Sequence, residues 1–267
     1  MLETAEEEGL LVDLALGPNQ GAGVPAPSES DGLLWDLFFF EISIPLGGAF
    51  DGKLPGWGSG PLVAASIGLV LSANATTITL AQNSLNDITK SVNADGHVKT
   101  KFSANQIGME NRLFAYYLKH SHYPEVQAQD SVVTAVPQSP IMTYEQNGSW
   151  VVDHFSALGA QTTIDYWENH LLDASTLNLL KKVGNYVWED SQEFFFLENT
   201  FWTPKLPDTF TANRGYSINK YIPLLINRLQ RPTHSALYVT DEADSGLSHI
   251  EDYGQTVCLN HRMVSDS

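Results

Sequence analysis

Apolar and polar positions follow two different rhythms along this chain. Leu10 to Leu16 is apolar at every position but Asp13, which is the pattern of a strand buried on both faces. Ahead of it, Glu3, Glu6, Glu7 and Glu8 followed by Gly9 read as the tail and stop of a helix. Behind it, Gly17 to Pro25 is a long Gly- and Pro-rich turn. Helix, buried strand and Gly-rich loop in that order belong to a parallel α/β unit. Meeting such a unit at residue 1 reads as a chain whose first part is missing.

From Leu33 to Trp150 the rhythm changes. Leu37–Ile44, Thr76–Leu80, Val98–Phe102 and Arg112–Leu118 are rich in β-branched and aromatic residues, and turn residues such as Asp95-Gly96 separate them. Short strands of this kind predict a β-rich, sandwich-like module. Leu62–Leu71 fits helix or strand equally well. After Trp150, helical spacing returns over Ser156–Leu172, Ser175–Val183 and Ile218–Leu229.

Between the last two lies the stretch with most chemistry. Tyr186, Val187 and Trp188 form a short apolar strand that runs into Glu189, Asp190 and Glu193. Carboxylates at the C-terminal end of a strand are where a barrel-type α/β enzyme keeps its catalytic groups. The same acids also suit a helix cap or a solvated face. Leu237–Glu242 repeats the strand-then-acids design. The predicted organisation is therefore residues 1–32 and 151–257 as α/β, 33–150 as an inserted β-rich module, and 258–267 as an atypical tail. What lies outside the insertion is shorter than the ~200 residues a (β/α)8 barrel needs to close.

Composition narrows the function classes. The 267 residues carry 12 Phe, 10 Tyr and 6 Trp and are 43% hydrophobic, enough for a packed core. Net charge is −17, with 14 basic residues scattered along the chain, which argues against nucleic acid and anionic membranes as partners. No apolar run reaches the ~18 residues of a membrane span. The single cysteine, Cys258, excludes an internal disulfide and a cysteine zinc site. Met1–Gly9 is acidic where a secretory leader is basic. Sequons at Asn74 and Asn147 hint at secretion.

Several local constellations are incomplete. The Gly17–Gly23 turn lacks the Lys-Ser/Thr of a phosphate loop, so Asn19 and Gln20 are read as hydrogen-bonding groups for a polar ligand at a strand end. Gly56-Trp57-Gly58-Ser59-Gly60 places its serine one position late for a nucleophile elbow. His120 and His122 would share one face of a strand, but no third metal ligand stands nearby. Asp241, Glu242 and Asp244 suit calcium or a solvated loop.

Four ordered segments carry a resemblance. Leu85–Gly96, Val152–Ser156, Trp188–Glu193 and Trp202–Pro204 through Arg214–Leu224 resemble, in order and spacing, the α-L-rhamnosidases of glycoside hydrolase family 106, in particular their secreted fungal members. The resemblance covers roughly Leu10 to Asp244. It implies a partial (β/α)8-type barrel interrupted by the β-rich module, an extracellular setting, hydrolysis of α-L-rhamnosides with inversion, and calcium. It maps the catalytic carboxylate of an Asp-Ser-x-Glu motif onto Glu193, as general acid. Glu189, Asp190, Asp153 and His154 become substrate-binding or orienting groups. Trp188 and Trp202 supply an apolar wall for a sugar face, or core packing.

Inversion needs a second carboxyl group, ~6.5–9.5 Å from the first, to activate water. The family pattern places that partner well downstream, whereas Cys258–Ser267 has no amphipathic period. The expectation is a fragment, catalytically incomplete as written, with a non-catalytic carbohydrate-binding remnant as the alternative.

Overall fold

A computed structural model describes residues 1–16, 23–121, 149–188, 200–225 and 236–242. Their contacts divide the chain into two compact units. One is built from 1–34 and 120–188, the other from 35–119, 200–225 and 236–242. The fold is mixed α/β, and among the described residues no sheet closes into a barrel.

In the first unit, a helix over Leu2–Glu8 stops at Gly9, whose φ of 67° is the left-handed conformation glycine adopts cheaply. Strand Val12–Ala15 then pairs in parallel with Gly184–Trp188, setting Val12 against Gly184 and Ala15 against Trp188. The ladder is irregular at Asp13, the one polar residue of the apolar run. Its carboxylate accepts hydrogen bonds from Asn185 Nδ2 at 2.9 Å and the Tyr186 amide at 3.1 Å, filling the break in the backbone pairing. Leu10, Leu11, Tyr186, Val187 and Trp188 are all exposed.

Two further helices of this unit begin with side-chain caps. Ser156 Oγ accepts from the Gly159 amide at 3.2 Å and opens Ala157–Tyr166, which continues into a π-helical turn over Trp167–Leu171. Trp167 Nε1 donates to Leu16 O at 2.8 Å, fixing that turn to the end of the first strand. Asp173 opens Ala174–Val183 and accepts from the Thr176 amide at 2.7 Å and Ser175 Oγ at 2.8 Å. Those bonds, the Thr176 amide first, lower the Asp173 pKa to about 2.

A folded-state pKa below the ordinary ~3.9 means the cap stabilises fully above that value and is lost as pH falls toward 2. Asp173→Ala should therefore melt below wild type at pH 7, with the gap closing between pH 4 and pH 2 in circular-dichroism melts. A gap that persists at pH 2 would show that the carboxylate is not the cap. A second small sheet pairs Gly23–Pro25 antiparallel with Ser149–Val151, over a core of Val24, Ala26, Leu33 and Val152.

The second unit is a seven-stranded sheet. Its main path runs Thr200–Trp202, Trp35–Pro45, Glu110–His120, Leu62–Ala73, Thr77–Leu80 and Leu237–Thr240, and Asn86–Asp87 pairs beside Leu62–Ala73. Within the central strand Glu110–His120, Leu113–Leu118 is an unbroken apolar run because it is buried on both faces. Leu113, Ala115 and Tyr117 face one core, while Phe114, Tyr116 and Leu118 face the other. Against the first face packs a two-stranded antiparallel sheet, Ala49–Lys53 with His97–Lys101, contributing Phe50 and Val98. Against the second pack Leu206 and Phe210 of helix Leu206–Arg214, together with Ile218, Tyr221 and Ile222. The sheet thus has a two-stranded second layer on one face and helical cover on the other.

Two segments differ from the sequence reading. Leu62–Ala73, which suited helix or strand, is a strand. The helix expected over Ile218–Leu229 is a short 3-10 turn, Asn219–Leu224. It contains Pro223, which has no amide to donate and whose ring crowds a helical backbone. Residues 226–235 lie outside the described residues.

Candidate functional site

The parallel register carries the site geometry. Ala15 stands beside Trp188, so the two strands of the first unit end together, and Leu16 N still donates to Trp188 O at 3.1 Å. The sequence continues from one strand into 17–22, which holds Asn19 and Gln20. From the other it continues into 189–199, which holds Glu189, Asp190 and Glu193. These five residues lie outside the described residues. Their segments nevertheless leave from neighbouring C-terminal strand ends, the edge where parallel α/β sheets bind ligands. Trp188 is the last residue of its strand and is 46% exposed.

Asp153 and His154 are buried in the same unit, at 0% and 9% exposure. The turn ahead of helix Ala157–Tyr166 is built on Asp153. Its amide donates to Gly32 O at 2.8 Å, its Oδ1 accepts from the Phe155 amide at 3.0 Å, and its carbonyl accepts from the Ser156 amide at 3.2 Å. A Cβ on Gly159 would lie 2.1 Å from Asp153 O, so only glycine lets the helix approach this turn. At 0% exposure the Asp153 carboxylate orients the helix start and offers no oxygen to a ligand arriving from solvent.

Trp202 belongs to the other unit and is 1% exposed, inside the core with Leu37, Tyr116 and Phe210. Of its two sequence readings, packing describes this position. His120 Nδ1 stands 3.8 Å from Glu29 Oε2, while His122 lies outside the described residues. Asp241 Oδ1 accepts from the Gln82 amide at 2.8 Å. Among the described residues no three His, Cys, Asp or Glu side chains gather as a metal site, and Asp244 lies outside them.

A polar constellation that sequence reasoning passed over lies on the helix-covered face of the seven-stranded sheet. Arg112, 12% exposed in its side chain, donates through Nη1 to Glu41 Oε1 at 3.2 Å and to the Tyr238 hydroxyl at 2.7 Å. Through Nη2 it also donates to Glu110, which accepts from Ser43 Oγ at 2.9 Å. The Tyr238 hydroxyl in turn donates to Glu41.

Burial works against the charges here, and pairing outweighs it. Bonds to Glu110 and Tyr238 hold the Arg112 guanidinium above its ordinary range. Bonds from Arg112 and Ser43 pull the Glu110 carboxyl below its own. Burial, then the Glu41 charge, pushes the Tyr238 phenol up.

Four strand spacings separate Tyr238 from Glu41 along the sheet order, about 19 Å if the sheet were flat. The two side chains touch, so the sheet curls and this network clasps its two sides. The signal in the sequence was a charge inside an apolar strand: Glu41 after three phenylalanines, and Arg112 before Leu113-Phe114.

No family model matches this sequence, and no curated protein does. Among solved structures, the fold resembles that of a rhamnosidase from Novosphingobium sp. PP1Y, with a TM-score of 0.56 at 12% identity. The likeness covers 97% of this chain and 38% of that one. The chain therefore has a rhamnosidase-like fold and spans well under half the length of the protein it matches.

No helix among the described residues is long and apolar enough to cross a membrane.

Proposed function

We propose that this chain is part of a glycoside hydrolase acting on α-L-rhamnosides with inversion. The observation that carries the reading is the parallel strand pair whose C-terminal ends stand together and lead into Asn19-Gln20 and the Glu189–Glu193 acids. The rhamnosidase-like fold and the ordered segment resemblance support it. In α/β proteins parallel strands are covered on both faces, whereas Tyr186, Val187 and Trp188 are exposed. That exposure fits a partial barrel, the finer fold reading.

In this proposal Glu193 is the general acid. It protonates the glycosidic oxygen as the bond to the anomeric carbon breaks, while a second carboxylate removes a proton from the water attacking the opposite face. Asp190 and Glu189 bind sugar hydroxyls, Asn19 and Gln20 do so from the neighbouring strand end, and Trp188 offers its exposed ring to the sugar face. Asp153 positions the helix start beside His154. Calcium enters on the family resemblance alone. An extracellular setting rests on the same resemblance.

The test is hydrolysis of 4-nitrophenyl α-L-rhamnopyranoside followed by proton NMR of the first sugar released. The expected product is the β-anomer, formed by inversion. Release of the α-anomer would end the inverting assignment. A second reading is a carbohydrate-binding remnant without turnover. It predicts rhamnoside binding by calorimetry with no sugar released.

A further inference from the structure

The Gly56–Gly60 motif that fails as a nucleophile elbow has another use. Its Trp57 is among the exposed large apolar residues, at 37%, and the loop around it is held from several sides. Gly56 and Gly58 take φ values of 72° and 94°, which glycine alone reaches without cost. The Trp57 amide donates to Leu54 O at 3.2 Å, and the Ser59 amide to Gly56 O at 3.0 Å. The Tyr117 hydroxyl donates to Pro55 O at 2.9 Å, and buried Leu54 packs in the core that Phe50 and Val98 share.

Two aromatic rings lie on glycines here. A Cβ on Gly56 would fall 2.1 Å from the Phe40 ring. One on Gly96 would fall 2.0 Å from Cδ2 and 2.4 Å from Cε2 of Trp57. The indole therefore rests flat on Gly96, with 37% of the residue open to solvent.

The residue after Gly96 begins a polar trio across the two-stranded sheet of Ala49–Lys53 and His97–Lys101. His97 Nε2 stands 3.1 Å from Asp51 Oδ1, and Lys99 Nζ stands 2.8 Å from Asp51 Oδ2. A core residue has no need of exposed surface, and a turn has no need of an indole. An indole held by one face on a glycine, with part of its surface open, is what a pyranose ring requires to stack its C–H face.

We propose that Trp57 is the platform of a glycan-binding site on the second unit. Its ligand is a neutral polysaccharide, because a chain of net charge −17 repels uronate polymers. The choice of carbohydrate as ligand class rests on the proposed function above.

The test is native electrophoresis of the full chain through gels containing galactomannan, arabinogalactan, mixed-linkage glucan or polygalacturonate. At least one neutral polymer is expected to retard the wild type and polygalacturonate is not. Trp57→Ala should weaken that affinity about tenfold, and Trp57→Phe should keep most of it. No retardation by any neutral polymer, or equal retardation of Trp57→Ala, overturns the site.

A measurement on wild type guards against a variant that does not fold. The retarding polymer should protect Trp57 from N-bromosuccinimide oxidation, read by peptide mass spectrometry, and equal oxidation with and without it also overturns the site. Rhamnoside hydrolysis is followed in parallel. Turnover without Trp57-dependent retardation leaves the hydrolase reading standing and ends this one, while retardation without turnover does the reverse.

Discussion

Glu193→Gln should lower rhamnoside hydrolysis about a thousandfold while leaving sugar binding intact. That magnitude is the usual contribution of a positioned acid, between 10² and 10⁴. The amide keeps the shape and one acceptor of the carboxyl group but has no acidic proton to give. Substrates of differing leaving group make the prediction specific. A nitrophenolate departs with little help, so the loss on 4-nitrophenyl α-L-rhamnopyranoside should be smaller than on an alkyl rhamnoside, whose alkoxide needs the proton. Equal loss on both substrates would make Glu193 a general binding or structural residue. Equal turnover by wild type and variant would remove it from the mechanism, and Glu189 and Asp190 would be the next acids to substitute.

How much of this was readable beforehand follows from where each signal lives. The helix stop at Gly9, the strand over residues 12–15 and the strand ending at Trp188 are local patterns, and the sequence contained them. Their parallel pairing is not local, because it joins residues about 170 positions apart, and no periodicity encodes a partner. Glu110–His120 was legible as an apolar run, yet the division of its side chains between two cores became visible only when both covering layers were in place.

Leu62–Ala73 was ambiguous for the same reason. A strand buried on both faces loses the alternation that distinguishes it from a helix. The Leu85–Gly96 segment, which carried part of the family resemblance, turns out to be turn chemistry. Asp87 Oδ1 accepts from the Thr89 amide at 2.9 Å, and Asn93 Oδ1 from the His97 amide at 2.8 Å, setting the approach to strand His97–Lys101. Trp202 shows the limit of composition. An aromatic beside a motif reads the same whether it meets a ligand or a core, and only its 1% exposure separates the two.

Arg112→Met should destabilise the fold by about 2–3 kcal/mol, between the ≤1 of an exposed pair and the 3–5 of a broken buried one. The intermediate figure follows from exposure: the guanidinium is almost covered, while the Glu41 and Glu110 side chains keep 34% and 28% of their surface. Methionine fills much of the volume, so the loss is chiefly electrostatic. Two carboxylates and a phenol remain on one curled face with no cation between them. Replacing Glu41 and Glu110 by Gln in the same chain removes the stranded charges, and urea unfolding should then recover about half of the loss.

The pH dependence runs in a definite direction. Pairing holds the folded-state pKa of Glu110 below its ordinary value, so its contribution to wild-type stability is present above the normal ~4.3 and is lost as pH falls through the depressed one. In Arg112→Met, protonation relieves the stranded carboxyl instead. The stability gap between wild type and variant should therefore narrow as pH falls from 7 toward 4. A gap that stays constant over that range, together with no recovery in the Gln variant, would make Arg112 a packing residue whose charge does not hold the curled sheet together.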